Sequence, residues 1–352
     1  MTATERTWPS LLTALLTRSD LAADDTEWAM NEIMAGEASP AQIAGFAIAL
    51  RTKEITAAEM TGLATAMMAH AEPITVTGPA VDLVGTGGDG AHTVNISTMG
   101  AIVAAAAGAR VVKHGNRSAS SKAGAADVLE QLGVAIELLG EDVAHCVDEL
   151  GIGFCFASRF HPALRHAAVP RRELGVPTAF NYLGPLTNPA RPAARAIGCA
   201  DFAMADVLAQ VTAADGATGM VFRGDDGLDE LTTTTTSSVW LVADGVVTAM
   251  TVDPTDLGLT LASRDDLRGG TAAANAKVTH ALLKGEPGPV RDAIVLNAAA
   301  GLVAFDGPKP ETLVDQLRVA MARCVAAIDD GSAAAKLDAW VAASQAARDK
   351  VR

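Results

Sequence analysis

Two short apolar runs in this chain end in residues able to hold an anion. Val81-Asp-Leu-Val84 breaks into Gly85-Thr86-Gly87-Gly88-Asp89-Gly90, and Val111-Val112 runs into Lys113-His114-Gly115-Asn116-Arg117. Glycines let backbone N–H groups close on a phosphate, and Lys113, His114 and Arg117 supply the opposite charge from a second loop. Thr86, Thr93, Ser97 and Thr98 add hydroxyl donors, and the apolar helix expected over Met99–Ala107 points its N-terminus at the same place. The cationic stretch continues to Lys122 with small hydroxyls interleaved, a pattern suited to diphosphate oxygens.

Gly85-Thr-Gly87-Gly-Asp-Gly90 also satisfies GxGxxG, the dinucleotide fingerprint. That reading needs an acidic residue about twenty positions on, to hold the ribose hydroxyls. Arg110, Lys113 and His114 stand there instead, so the charge has the wrong sign. A third cluster, Gly224-Asp225-Asp226-Gly-Leu-Asp229-Glu230, holds four carboxylates in six residues. Oxygen-only ligands of this kind suit Mg2+, which keeps its waters and bridges to substrate phosphates. A second basic cluster, His161-Pro-Ala-Leu-Arg165-His166 with Pro170-Arg171-Arg172, offers a guanidinium for a planar carboxylate on a co-substrate. His161 and His166 lack metal-like spacing and read as core or loop histidines.

Composition limits what such a site can serve. The 352 residues carry a formal charge of −14, which speaks against a nucleic-acid or membrane-surface partner because both demand a basic face. Cys146, Cys155, Cys199 and Cys324 have no CxxC spacing and read as reduced, buried thiols. The opening residues are polar and no apolar run is long enough to span a bilayer, so the expectation is a cytoplasmic protein.

The elements that position these loops follow from periodicity. Up to about residue 78 the chain reads as helices, with starts at Asp24/Glu27, Ser39/Gln42 and Thr56/Glu59 and a stop at Gly36. This segment reads as a scaffold or a dimerisation surface, with a substrate-lid role as the competing reading. Strands are then expected at Val81–Val84, Arg110–Val112, Gly153–Phe156, Ile197–Cys199 and Met220–Phe222, alternating with helices, as in an α/β fold with a largely parallel sheet. Val239–Val242 and Val246–Val252 around Asp244-Gly245 read as an antiparallel hairpin. Helices follow at Val290–Val303, Pro310–Ile328 and Ala333–Arg348. The Pro-, Arg- and His-rich stretch Pro162–Pro192 suggests a crossing between domains.

Taken together, Gly85-Thr-Gly-Gly-Asp89, Asn95-Ile-Ser-Thr98, Lys113-His-Gly-Asn-Arg117, Gly153-Phe-Cys-Phe-Ala157 with His161-Pro162, Phe180-Asn-Tyr-Leu-Gly-Pro-Leu-Thr-Asn-Pro189 and Gly227-Leu-Asp-Glu230 resemble the anthranilate phosphoribosyltransferase family along nearly the whole chain. The resemblance implies a small helical domain over 1–78, completed by about 165–188, and a large α/β domain over 79–352 with a mostly parallel mixed sheet. This is the nucleoside phosphorylase/phosphoribosyltransferase class. It also implies a homodimer through the helical domain, Mg2+ as cofactor, and transfer of the 5-phosphoribosyl group from phosphoribosyl pyrophosphate to anthranilate in tryptophan biosynthesis.

Carried over residue by residue, the resemblance assigns the donor to Gly85, Gly88, Asp89, Thr93, Asn95, Ile96, Ser97 and Thr98. Lys113, His114, Gly115, Asn116, Arg117, Ser118, Ala119, Ser120, Ser121 and Ala125 complete that set. Anthranilate falls to Gly85, His114, Asn116, Arg171 and Pro185, and the metal to Ser97, Asp229 and Glu230. Two positions depart from the family pattern. Ala125 stands where many relatives have serine, and Pro170 precedes Arg171, which leaves open whether Arg171 or Arg172 faces the pocket. The competing readings are a pyrimidine nucleoside phosphorylase and a non-catalytic nucleic-acid-binding relative.

Overall fold

Four helices open the computed structural model, which describes residues 6–118 and 122–351. They are α1 (Trp8–Leu16), α2 (Ala23–Ala35), α3 (Pro40–Lys53) and α4 (Ala57–Ala69). The expected capping boxes form at two of them. Ser39 and Gln42 exchange bonds at the start of α3, and Thr56 and Glu59 do so at α4. The third is misplaced: α2 begins before Asp24, with Ala22 as N-cap and the Asp25 carboxylate accepting the Ala22 N–H. Asp24 and Asp25 therefore lie inside the first turn, where negative charge meets the positive end of the helix dipole. Gly36 ends α2 at a left-handed φ of 80°, as expected.

Buried Glu59 ties this bundle together. Besides its cap it accepts the Leu21 N–H at 2.9 Å and the Lys53 ammonium at 3.0 Å. Removing one partner of such a buried pair costs about 3–5 kcal/mol.

The described residues of the second layer build one seven-stranded sheet. Its strands are β1 (Val81–Gly85), β2 (Val111–Gly115), β3 (Ile152–Phe156), β4 (Ala194–Gly198), β5 (Thr218–Gly224), β6 (Ser237–Ala243) and β7 (Val246–Val252). The order is β3-β2-β1-β4-β5-β6-β7, parallel from β3 to β5 and antiparallel from there on. Asp244 and Gly245 take φ of 50° and 74°, the twist a two-residue hairpin needs.

Side chains alternate across this sheet. Leu83, Ala196, Met220, Phe222 and Leu241 enter the core formed with α5 (Ile96–Ala106) and the helix Pro289–Asp306. Val84, Ile197, Val221, Trp240 and Val242 enter a second core shared with α1–α4, the segment Ala179–Leu186 and the helix Phe202–Ala214.

Most strands run longer than their apolar stretches suggest. β2 shows why this matters: Lys113 and His114 belong to the strand and are buried, each 2% exposed, so the expected basic loop begins only at Asn116. α5 likewise starts at Ile96 rather than Met99, which places Ser97 and Thr98 in its first turn. All four cysteines are free and buried. Among the described residues no helix is long and apolar enough to cross a membrane.

Candidate active site

The end of β1, Lys113 of β2, the acidic turn after β5 and the first turn of α5 converge on one another. The glycine loop leaves β1 with Gly87, Gly88 and Gly90 at φ of 69°, 85° and 68°. Side-chained residues rarely adopt these angles, so the loop's shape depends on glycine there. Gly85 is required for another reason. A Cβ at Gly85 would overlap the Asp229 carboxylate, and one at Gly198 would overlap the Asp229 backbone carbonyl.

Asp229 accepts the Gly87 N–H at 2.7 Å, and Glu230 accepts the Ser97 N–H at 3.2 Å. Both acids thus sit on backbone donors of the kind that cradle phosphate. Asp89 faces them, and burial together with that like charge pushes Asp229 up to about 7. Burial and then Asp229 push Glu230 well above the usual carboxylate range. Lys113 balances part of this charge. Its ammonium donates to Ser97 Oγ at 3.1 Å and to the Leu83 carbonyl, while burial pulls its pKa down.

The other two acids of the cluster do different work. Asp226 accepts from Thr232 and Thr234, and Asp225 from Thr236 and Ser238, so the threonine tract occupies them. Buried Asn297 brackets the next backbone position, accepting the Leu231 N–H at 2.9 Å and donating to its carbonyl at 2.8 Å. It fixes the acid loop in place.

On the opposite face of β2, His114 Nδ1 meets the Gly184 carbonyl at 2.8 Å, so that nitrogen carries the proton. Burial, then the neighbouring His161, push the imidazole down to about 3, so it is neutral. Nε2 is therefore an acceptor, buried and without a hydrogen-bond partner among the described residues. Pro185 is buried beside Gly184.

Arg171 is half-buried on the helix Ala168–Leu174, with its guanidinium 5.4 Å from the Phe180 ring centre. Burial lowers its pKa, and no ion pair to it forms among the described residues. Arg172 is exposed.

Other expected residues make contacts of their own. Asn95 caps α5 by position but turns its side chain to the Ala123 carbonyl and to Asn275. Thr93 bridges to Arg268, and Thr98 is buried with an unpaired hydroxyl among the described residues. Exposed Asn116 accepts from Ser158 Oγ at 3.1 Å. The Arg117 guanidinium turns away from the glycine loop, to Asp127 and Glu130 on α6 (Ala125–Gln131), and packs over Phe156. Ala125 opens α6. Ala119, Ser120 and Ser121 lie outside the described residues.

The sequence assigns no role to Asp82, Gly198 or Asn297, nor to Asn188 within the Phe180–Pro189 motif. Asp82 and Asn297 do leave a trace, each a lone polar residue inside an apolar run.

Both layers match models of a single class of enzyme. "Glycosyl transferase family, helical bundle domain" covers residues 9–71, and "Glycosyl transferase family, a/b domain" covers 77–334. Among curated relatives, the anthranilate phosphoribosyltransferase of Thermobifida fusca is 60% identical over 342 residues, 97% of this chain and 98% of that protein. That of Acidothermus cellulolyticus is 61% identical over 348 residues, 99% and 98% of the two chains. The crystal structure of the Thermus thermophilus enzyme superposes with a TM-score of 0.88 at 40% identity, covering 95% of this chain and 99% of that one. The Saccharomyces cerevisiae enzyme in complex with PRPP and Mg gives 0.87 at 25% identity, covering 97% and 99%. The chain belongs to the anthranilate phosphoribosyltransferase family.

Proposed function

We propose that the chain transfers the 5-phosphoribosyl group of phosphoribosyl pyrophosphate (PRPP) to the amine of anthranilate, releasing diphosphate, in tryptophan biosynthesis. The observation that carries this reading is the seating of Asp229 and Glu230 on the Gly87 and Ser97 N–H groups. Phosphate oxygens that take those donors release both carboxylates toward a cation.

The residues fit Mg2+. Burial raises the pKa of Asp229 and Glu230, and the neighbouring acids raise it further, a repulsion that a divalent ion relieves. Among the described residues no three such side chains form a complete metal cage. Mg2+ is commonly held by one or two carboxylates plus substrate phosphates, so Asp229 and Glu230 with Ser97 Oγ are a suitable set. When bound, the ion supplies neutralisation of the charge that builds on the leaving diphosphate.

The chain's own groups do the rest. Lys113 and the N–H groups in the first turn of α5 stabilise the same developing charge without reorganising. The Arg171 guanidinium holds the anthranilate carboxylate, and neutral His114 offers Nε2 as an acceptor to a donor on the substrate. An aromatic amine attacks with its own lone pair, so the site's contribution is alignment and the exclusion of water. The division into a helical domain (1–78, with about 165–188) and an α/β domain belongs to this reading. So do a cytoplasmic location and a homodimer through α1 and α3, where Leu16 and Ile48 are exposed.

The fluorescence of anthranilate tests the proposal. It should decay only when protein, PRPP and Mg2+ are all present, stop on adding EDTA, and resume with excess Mg2+. Decay that is indifferent to chelation contradicts the metal assignment.

A further inference from the structure

One strand pair departs from the rest of the sheet. β1 and β4 stay in register at five positions, from Val81 with Ala194 to Gly85 with Gly198. β2 and β3 do the same from Val111 to Gly115. Between β1 and β2 the register holds at Val81 with Val111 and goes no further.

Beyond that rung, side chains take the backbone groups that a parallel ladder would pair. The Asp82 carboxylate accepts the His114 N–H at 3.1 Å. The Asn188 amide donates to the Val112 carbonyl at 2.8 Å, and the Lys113 ammonium donates to the Leu83 carbonyl. Asn188 closes the wedge by donating to the second Asp82 oxygen at 2.9 Å, and its own Oδ1 accepts the Ala190 N–H at 3.0 Å. Asp82 is wholly buried and Asn188 is 4% exposed, so the network is shielded from water. Fully paired polar networks of this kind hold one geometry firmly.

The consequence lies in Lys113 and His114. As neighbours on a strand they point to opposite faces. Lys113 reaches Ser97 at the start of α5, on the donor side, while His114 reaches Gly184, beside Pro185 on the anthranilate side. The wedge holds the strand backbone on either side of Lys113, at the Val112 carbonyl through Asn188 and at the His114 N–H through Asp82. We propose that Asp82, clasped by Asn188, is a positioning residue for the transfer reaction: it splays β1 from β2 and so sets Lys113 and His114 toward their two substrates. The proposal rests on the transferase reading above. It assigns a task to a buried carboxylate whose bonds run to the His114 N–H and the Asn188 amide.

The test is Asp82→Asn, which keeps the shape but sets an amide N–H against either the His114 N–H or the Asn188 amide. Two buried donors then face each other without an acceptor. In folded protein, checked by circular dichroism and assayed well below its Tm, kcat should fall at least about tenfold. KM for both PRPP and anthranilate should rise, because both aimed residues move. Asn188→Ser opens the wedge from the other side while keeping the Asp82 charge and its bond to His114. It should lose several-fold in kcat, and it decides the matter if Asp82→Asn does not fold. A lowered Tm with kcat and both KM values unchanged overturns the proposal, since that is what a purely structural role gives. Wild-type protein assayed alongside separates the two claims: an inactive wild type refutes the transferase reading, whereas an active wild type with equally active variants refutes the wedge alone.

Discussion

Replacing Asp229 with Asn and Glu230 with Gln together lowers turnover by about 100-fold or more at ordinary Mg2+, with the fold intact. The amides preserve volume, and their carbonyl oxygens still accept from Gly87 and Ser97, so the loops keep their anchors. What disappears is the negative charge that attracts the cation. Removing one preorganised electrostatic contact in an active site commonly costs about 10²–10³ in rate. Each single variant retains one carboxylate and should recover part of its activity as Mg2+ is raised. A Mg2+ titration of the two singles and the double reads this directly. Activity equal to wild type across the whole titration would show that the acid pair serves the loops alone.

Arg171→Ala gives the second large effect, and it falls on one substrate. The guanidinium lies over Phe180 with no acidic partner among the described residues, a costly arrangement unless a ligand supplies the carboxylate. Losing a charge-assisted hydrogen bond of about 1.5–3 kcal/mol corresponds to roughly 10–100-fold in kcat/KM for anthranilate. KM for PRPP should hardly change, because the loops proposed to bind its phosphates lie on β1, β2 and α5. Arg172→Ala is the internal control, since Arg172 is exposed on the same helix. Lysine at 171 should restore little, as it cannot present two parallel donors to a planar carboxylate. Steady-state kinetics of the single variants settles the choice; an effect confined to Arg172→Ala reverses the assignment.

The parts of the site legible in the sequence are those made by local chemistry. Gly87, Gly88 and Gly90 announce a loop needing left-handed backbone, and Asp229-Glu230 announce a carboxylate-rich turn after β5. Ser39 with Gln42 and Thr56 with Glu59 announce helix starts because each box closes within four residues. Other features are set by partners distant in sequence. Lys113 and His114 read as part of a phosphate-binding loop, but both belong to β2, paired with β3, with His114 against the Gly184 carbonyl and Lys113 on Leu83 and Ser97. Arg117 looks like a phosphate ligand, but Asp127 and Glu130 one helix later claim its guanidinium. Asp225 and Asp226 look equivalent to Asp229 until the threonines of 232–236 fold back on them. Asp24 misleads because two adjacent aspartates offer two helix starts, and Asp25 alone reaches the N-cap backbone.

Matching the diphosphate released to the anthranilate consumed in one reaction tests the transfer itself. Protein, PRPP, Mg2+ and anthranilate are mixed, with diphosphate followed by phosphorus NMR and anthranilate by absorbance after separation. One diphosphate should be released per anthranilate consumed, with a product carrying phosphoribose on the amine, and almost no diphosphate when anthranilate is left out, because a transferase site of this kind excludes water. Diphosphate release without anthranilate consumption would contradict it, as would cleavage of thymidine or uridine by inorganic phosphate in place of the transfer.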